Sequence, residues 1–382
     1  MLPVRTSQEP FRLLIAGGGT GGHVLPAVAV IEELRQRGIP TEIRWVGSRA
    51  GVEREIAEAQ GIPFTTIQTG KLRRYFSVRT FVDTFRLPIG AAQAWNAIRR
   101  FKPDVIYSTG GNVSVPSVVA GARQAPILTH EQTAQLGIAN RIAARFADRF
   151  AVTFDDTKQL AEQLHKSVVV TGNPVRSSLT GGDAARGYER YGFTPDLPVI
   201  YVTGGARGAS PLNTRIEPSL SRLLQSTQIV HQAGPASAND DAARLSAVRE
   251  TLPPNLRQRY VVTEFVRDEI ADLYAITDLV IGRAGAGTIT ELAFMGLPSI
   301  LIPLPGTWGD EQRKNAKVLA DVHASITLEQ DDATPEYLAE LIESLVGDPE
   351  RLGRMSEAAK TRSRPDAAAR LVDELLKLAR RA

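Results

Sequence analysis

Cysteine is absent from all 382 residues. That excludes a disulfide framework, a thiol nucleophile and a Cys-ligated metal, and it fits a reducing compartment. No apolar stretch is long enough to span a bilayer. The first residues, MLPVRTSQEPF, lack the apolar core and cleavage pattern of a secretory leader, so none is expected. A dominant charge is missing as well: 45 Lys and Arg stand against 42 Asp and Glu, too even a balance to argue for nucleic acid. The Gly-rich stretches lack the Lys-Ser/Thr pair of a Walker A loop. No Asp-x-Asp turn is placed to hold a divalent ion on a diphosphate. No metal and no cofactor is expected, and a leaving phosphate would depend on amides, helix dipoles and cations.

What is present is alternation. Apolar runs such as Leu13–Ala16, Ile43–Val46, Val105–Tyr107 and Ile127–Thr129, then Val199–Thr203, Gln228–His231, Tyr260–Thr263 and Leu279–Ile281, are separated by helical stretches. Such alternation predicts an α/β protein with doubly wound parallel sheets. The halves also resemble each other. Asp104–Leu128 and Asp278–Leu301 both run aspartate, strand, Gly-rich turn, helix, glycine, proline, strand, and LLIAGGGTGG has a counterpart in VIYVTGGARGA. Two similar domains are expected, with a junction near Gly172–Arg176 and four Gly-rich turns around one cleft.

The glycines of LLIAGGGTGGHVLPA read as a strand, a tight turn and a helix from Leu25 to Arg37, a geometry that aims amides at something negative. A turn with no ligand would look the same. His23 follows that turn and suits acid–base work, either as general base or as a residue that orients phosphate or acceptor. His130 and His231 end strands and either line a site or sit hydrogen-bonded in the core. In GRAGAGTITELAFMGLP the amides of Ala286, Gly287 and Thr288 open a helix and suit a diphosphate, while Glu291, about one turn on, could accept both hydroxyls of a ribose. Gln312, an uncharged amide near a helix start, suits sugar hydroxyls. Residues 69–88 interleave Lys71, Arg73, Arg74, Arg79 and Arg86 with four aromatic residues, a pattern shared by lipid-headgroup surfaces, RNA sites and plain amphipathic helices.

Together GGTGGH (Gly18–His23), HEQ (His130–Gln132), GNPVR (Gly172–Arg176), TEF (Thr263–Phe265), GRAGAGTITELA and DEQRKNA (Asp310–Ala316) resemble the bacterial MurG family of N-acetylglucosaminyltransferases over nearly the whole chain. The resemblance implies the GT-B fold: two Rossmann-like doubly wound domains facing across a cleft, with a C-terminal helix crossing back to the first. It divides the chain into an acceptor- and membrane-facing domain, 1–175 with helix 365–382, and a UDP-sugar domain, 176–364. It implies a metal-independent, inverting hexosyltransferase of peptidoglycan synthesis. N-acetylglucosamine (GlcNAc) would move from UDP-GlcNAc to the C4 hydroxyl of the lipid-linked muramyl-pentapeptide, on the cytoplasmic face of the membrane. By the same resemblance Phe265 and Val266 would meet the uracil, Ala286, Gly287, Thr288, Ile289, Thr290 and Glu291 the diphosphate and ribose, and Gln312 the sugar. Arg176 would face the nucleotide, Thr20, Gly21 and Gly22 would close over the donor, and residues 69–88 would rest on anionic lipid.

Two donor positions depart from the family pattern. Thr133 stands where asparagine often follows HEQ, and Ala206 of GGARGA stands where GGSQGA carries a serine. Rival readings are another GT-B lipid glycosyltransferase, a UDP-GlcNAc 2-epimerase acting on the donor alone, and a catalytically silent nucleotide-sugar-binding subunit.

Overall fold

Apolar runs of β-branched residues become strands buried on both faces, as parallel sheets require. The computed structural model describes residues 9–49, 51–70 and 78–381, the side chains of 78–86 and 380–381 excepted. The described residues form two compact units, those up to Arg176 with those from Arg364 on, and residues 177–363. Of the basic and aromatic stretch 69–88, residues 71–77 lie outside the residues so described, and the side chains of 78–86 are not described.

The first unit holds strands β1 (Phe11–Gly17), β2 (Thr41–Gly47), β3 (Phe64–Thr66), β4 (Val105–Gly110), β5 (Ile127–Glu131), β6 (Arg149–Val152) and β7 (Val168–Val170). They lie in the order β3-β2-β1-β4-β5-β6-β7, and every pair is parallel. The second unit holds β8 (Val199–Thr203), β9 (Gln228–Gln232), β10 (Tyr260–Thr263), β11 (Leu279–Gly282), β12 (Ser299–Leu301) and β13 (Ser325–Thr327). Its order is β10-β9-β8-β11-β12-β13, again all parallel. Apart from the extra edge strand β7, one doubly wound order occurs twice. The strand order reverses between β1 and β4 and between β8 and β11, and ligands of such sheets bind beyond the carboxyl ends at that point.

The aligned aspartates share a task. The amide of Arg12 donates to Asp104 and the amide of Val199 to Asp278, each at 2.8 Å. Each aspartate thereby ties the entry of one central strand to its neighbour.

Helix Ala367–Arg381 returns to the first unit and buries Leu371, Val372, Leu375 and Leu378 among Leu13, Ile15, Val30 and Ile31. Four such side chains contribute roughly 6–12 kcal/mol of transfer free energy as an upper bound. Arg149 pairs with Glu374 at 3.1 Å on the same helix. Gly172 makes the approach possible: it has φ +85°, and a Cβ there would lie 2.8 Å from Cβ of Arg364. Helix Gly21–Gln36 corrects one sequence expectation, since it begins at Gly21 and not at Leu25 and carries Pro26 inside. The second glycine pair is therefore the helix start itself.

Candidate active site

In the first unit the turn after β1 meets the end of β4. A Cβ at Gly17 would fall 1.9 Å from Oγ1 of Thr109, and one at Gly18 would fall 2.3 Å from the Glu53 carboxyl carbon. At Gly21 it would meet nothing within 4 Å. The protein itself excludes side chains at Gly17 and Gly18, whereas space is open at Gly21. Thr20 is the N-cap of the helix without a side-chain cap bond, and no acidic residue occupies the first turn. The leading amides of this helix stay available to an anion.

His23 lies in the first turn of that helix. Its Nδ1 is 3.0 Å from the carbonyl oxygen of Thr109 and 3.1 Å from Oε1 of Gln132. Gln132 uses its Nε2 to donate to the same Thr109 carbonyl at 2.9 Å, so its oxygen faces the imidazole. Both partners of Nδ1 accept, so in the neutral ring the proton sits on Nδ1 and the lone pair on Nε2. That is the form able to take a proton.

His130 is a core residue. It is fully buried, with Nε2 3.0 Å from the Gly172 carbonyl and Nδ1 3.3 Å from the Tyr107 hydroxyl, and burial pulls its pKa down to about 3. His231 is its counterpart in the second unit, held 3.0 Å from both the Tyr260 hydroxyl and Oδ1 of Asn213, with its pKa pulled down by burial to about 3. Both stay neutral and structural.

Glu131 of the HEQ stretch is also buried. It accepts from the amide and hydroxyl of Thr133 at 3.1 and 2.8 Å, the Gly137 amide at 2.8 Å and Nδ2 of Asn140 at 3.0 Å. Thr133 therefore turns its hydroxyl to Glu131. Arg176 keeps its Nε buried with no hydrogen-bond partner among the described residues.

In the second unit an open pocket of about 670 Å³ lies beyond β8 and β11, lined by the Gly204–Pro211 turn, Asn239, Arg283, Thr288 and Gln312. Helix Ala286–Met295 starts there, its N-cap Gly285 making no side-chain bond. The amide of Ile289 bonds the Gly285 carbonyl at 3.0 Å, so those of Ala286, Gly287 and Thr288 precede that closing bond. Ile289 has its amide engaged and its side chain fully buried, and the Thr290 hydroxyl donates back to the Ala286 carbonyl at 2.8 Å.

Glu291 sits one turn further on and is held by the Tyr274 hydroxyl, which donates to its Oε2 at 2.9 Å. Oε1 of Gln312 accepts from the amides of Leu304 at 2.9 Å and Ala284 at 3.2 Å. Its acceptor face thus braces two strand-end loops, and the Nε2 donors are what it can present. The Val266 amide donates to Oε1 of Gln232 at 3.0 Å, which leaves its carbonyl as the group able to meet a base. Ala206 and Arg207 are exposed on the Gly-rich turn.

Arg283 went unnoticed in the sequence. It is 6% exposed, donates to the carbonyls of Ile302 and Pro303 at 2.9 and 3.2 Å and to Oε1 of Gln330 at 2.7 Å, and desolvation lowers its pKa. The guanidinium stays charged, because its ordinary pKa lies far above neutrality. Its place two residues before the Gly285-Ala286-Gly287 run was the available signal.

Comparison with known proteins decides the family. The model of the glycosyltransferase family 28 N-terminal domain matches residues 13–152, and that of the family 28 C-terminal domain matches residues 199–371. The UDP-N-acetylglucosamine–N-acetylmuramyl-(pentapeptide) pyrophosphoryl-undecaprenol N-acetylglucosamine transferase of Listeria monocytogenes is 35% identical over 96% of this chain and 99% of its own length. The Bacillus cereus transferase 2 of the same name is 36% identical over 92% of this chain and 94% of its own. This chain belongs to the MurG family. The crystal structure of Acinetobacter baumannii MurG is similar at 30% identity with a TM-score of 0.74, covering 96% of this chain and all of that one. A Listeria monocytogenes structure described as a UDP-N-acetylglucosamine 2-epimerase reaches a TM-score of 0.68 at 16% identity and shows the shared fold alone. The MurG family thus accounts for the twice-repeated sheet order, and the likeness takes in both units.

Proposed function

We propose that this chain transfers GlcNAc from UDP-GlcNAc to the C4 hydroxyl of undecaprenyl-diphospho-N-acetylmuramoyl-pentapeptide, turning lipid I into lipid II with inversion. The observation that carries the reading is Glu291. It is fixed by Tyr274 one turn beyond an uncapped helix start, in a chain whose relatives bear that transferase name.

The second unit binds the donor. Glu291 accepts the ribose hydroxyls, the amides of Ala286–Thr288 meet the diphosphate, and the Val266 carbonyl faces the uracil. Gln312 donates from Nε2 to the sugar. The first unit binds the acceptor, with Thr20, Gly21 and Gly22 presenting the turn and its helix-start amides to the acceptor diphosphate. Nε2 of His23 takes the proton of the C4 hydroxyl as its oxygen attacks the anomeric carbon from the face opposite the phosphate. The bond from that carbon to the phosphate oxygen breaks, and its electron pair leaves with UDP. The added negative charge is met by helix-start amides and by Arg176, Arg207 and Arg283. Ala206 contributes only its backbone. Each of these groups works without a metal ion.

Docking is peripheral in this reading. Among the described residues no helix is long and apolar enough to cross a membrane. The basic and aromatic sequence 69–88 would lie on anionic lipid at the cytoplasmic face, and further along helix Val78–Phe101 Ile89 and Trp95 are 52% and 44% exposed.

The test is incubation with UDP-GlcNAc and a short-chain lipid I analogue in excess EDTA. Formation of UDP and a β-linked disaccharide supports the reading. Donor turnover without acceptor would point to an epimerase or hydrolase, and loss of transfer restored by magnesium would overturn metal independence.

A further inference from the structure

Glu53 is a fully buried carboxylate at the start of helix Glu53–Ala59. Its Oε2 accepts the Gly19 amide at 2.9 Å, and its Oε1 accepts the Ser48 amide at 2.9 Å and the Ser48 hydroxyl at 2.6 Å. All three partners are neutral donors. Three glycines are shaped around the group. A Cβ would fall 2.3 Å from the carboxyl carbon at Gly18, 2.7 Å from Cγ at Gly47 and 1.9 Å from Oε2 at Gly51. Gly18 and Gly19 take φ of +153° and +90°, which other residues rarely adopt. Burying a carboxylate is expensive, and a glutamine of the same size would be easier to bury. An amide, however, would turn its NH2 toward one of these donors. The site demands an acceptor at both oxygens.

We propose that Glu53 is a positioning residue for the transfer. It pins the Gly17–Gly22 turn from behind at Gly19, one residue before Thr20, and so sets where the Gly21 and Gly22 amides and His23 are presented. The inference rests on the reading that this turn serves glycosyl transfer. Glu53 touches no substrate. It acts through the backbone, and misplacing that backbone by a fraction of an ångström is enough to slow a reaction that depends on orientation.

The experiment compares the full chain with Glu53→Gln and Ser48→Ala, using UDP-GlcNAc and a short-chain lipid I analogue. Steady-state kinetics are measured beside UDP affinity by calorimetry and the melting temperature. For Glu53→Gln the expected result is a fall in kcat of about tenfold or more, with UDP affinity within about twofold of the parent, because the nucleotide is held by the other unit. Ser48→Ala keeps the carboxylate and loses one of its three bonds, so it should show the same split with a smaller fall in kcat. Unchanged kcat in a folded Glu53→Gln variant overturns the proposal. So does a fall in UDP affinity as large as the fall in kcat, which marks general loss of structure. Should Glu53→Gln fail to fold, Ser48→Ala decides: a selective kcat loss supports the proposal and parental kinetics overturn it. Absence of transfer by the parent chain would count against the transferase reading and not against Glu53 alone.

Discussion

Tyr274 donates its hydroxyl to Oε2 of Glu291 at 2.9 Å, joining helix Ile270–Ile276 to the helix that opens beside the pocket beyond β8 and β11. A long carboxylate on a helix surface samples several rotamers, and the phenol removes that freedom before a ligand arrives. Glu291→Ala should therefore weaken UDP by roughly 2–4 kcal/mol, since charge-assisted bonds are lost. Tyr274→Phe should weaken it by about 1 kcal/mol, the value of one hydrogen bond. Calorimetry with UDP and with 2′-deoxy-UDP checks both, and for Glu291→Ala the two ligands should converge. Parental affinity in Glu291→Ala would remove this residue from the site.

Arg207 should bear on phosphate where Ala206 offers no hydroxyl. It is exposed on the Gly204–Pro211 turn, beside a pocket that also includes Arg283. A guanidinium carries a charge and a fork of donors suited to phosphate oxygens. Arg207→Ala should raise the KM for UDP-GlcNAc and weaken UDP several times more than uridine. Equal effects on both ligands, or none, would show that the backbone amides of the turn suffice.

Acid should destabilise each unit through one buried histidine. His130 and His231 have folded pKa values near 3 against an ordinary 6.5, both lowered by burial. Below pH 6.5 the unfolded chain binds a proton at each that the folded chain refuses. Stability therefore rises with pH between about 3 and 6.5 and falls on acidification, by at most about 1.4 kcal/mol per pH unit per histidine. His231→Gln preserves a donor and an acceptor toward Asn213 and Tyr260 yet cannot be protonated. Urea unfolding from pH 7 to pH 4 should show a shallower loss for this variant than for the parent. Parallel curves would mean that His231 is not kept neutral.

Lipid binding should follow the basic and aromatic sequence. Changing Arg73, Arg74 and Arg79 to glutamate should reduce co-sedimentation with vesicles containing anionic phospholipid, most strongly at low salt. Binding of neutral vesicles should change little. A variant that sediments like the parent would assign this stretch a structural role.

Much of the fold is legible in the chain because local pattern and architecture coincide. Leu13–Ala16 and Val199–Thr203 are apolar without alternation, as strands covered on both faces must be, and Asp104 and Asp278 mark equivalent strand entries. Two of the four edge strands, Phe64–Thr66 and Ser325–Thr327, were not legible, for three residues of mixed polarity carry no period and are defined by the neighbour they pair with. At the candidate site, the residue types and spacing of GRAGAGTITELA identified the uncapped helix start and Glu291, because a helix fixes what lies one turn from its end. The chain alone left three other matters open. It left open whether His130 and His231 line a site or sit in the core, which depends on what packs on them. Nor did it reveal that Gln312 has its oxygen engaged by two backbone amides. Nothing near Glu53 along the chain shows which groups its carboxylate meets. Its partner Gly19 lies 34 residues earlier, and only the pairing of β1 with β2 brings that amide to the carboxylate. Sequence determined what is set by neighbours along the chain; tertiary structure decided protonation, burial and the direction of each polar group, which depend on atoms brought together across the sheets.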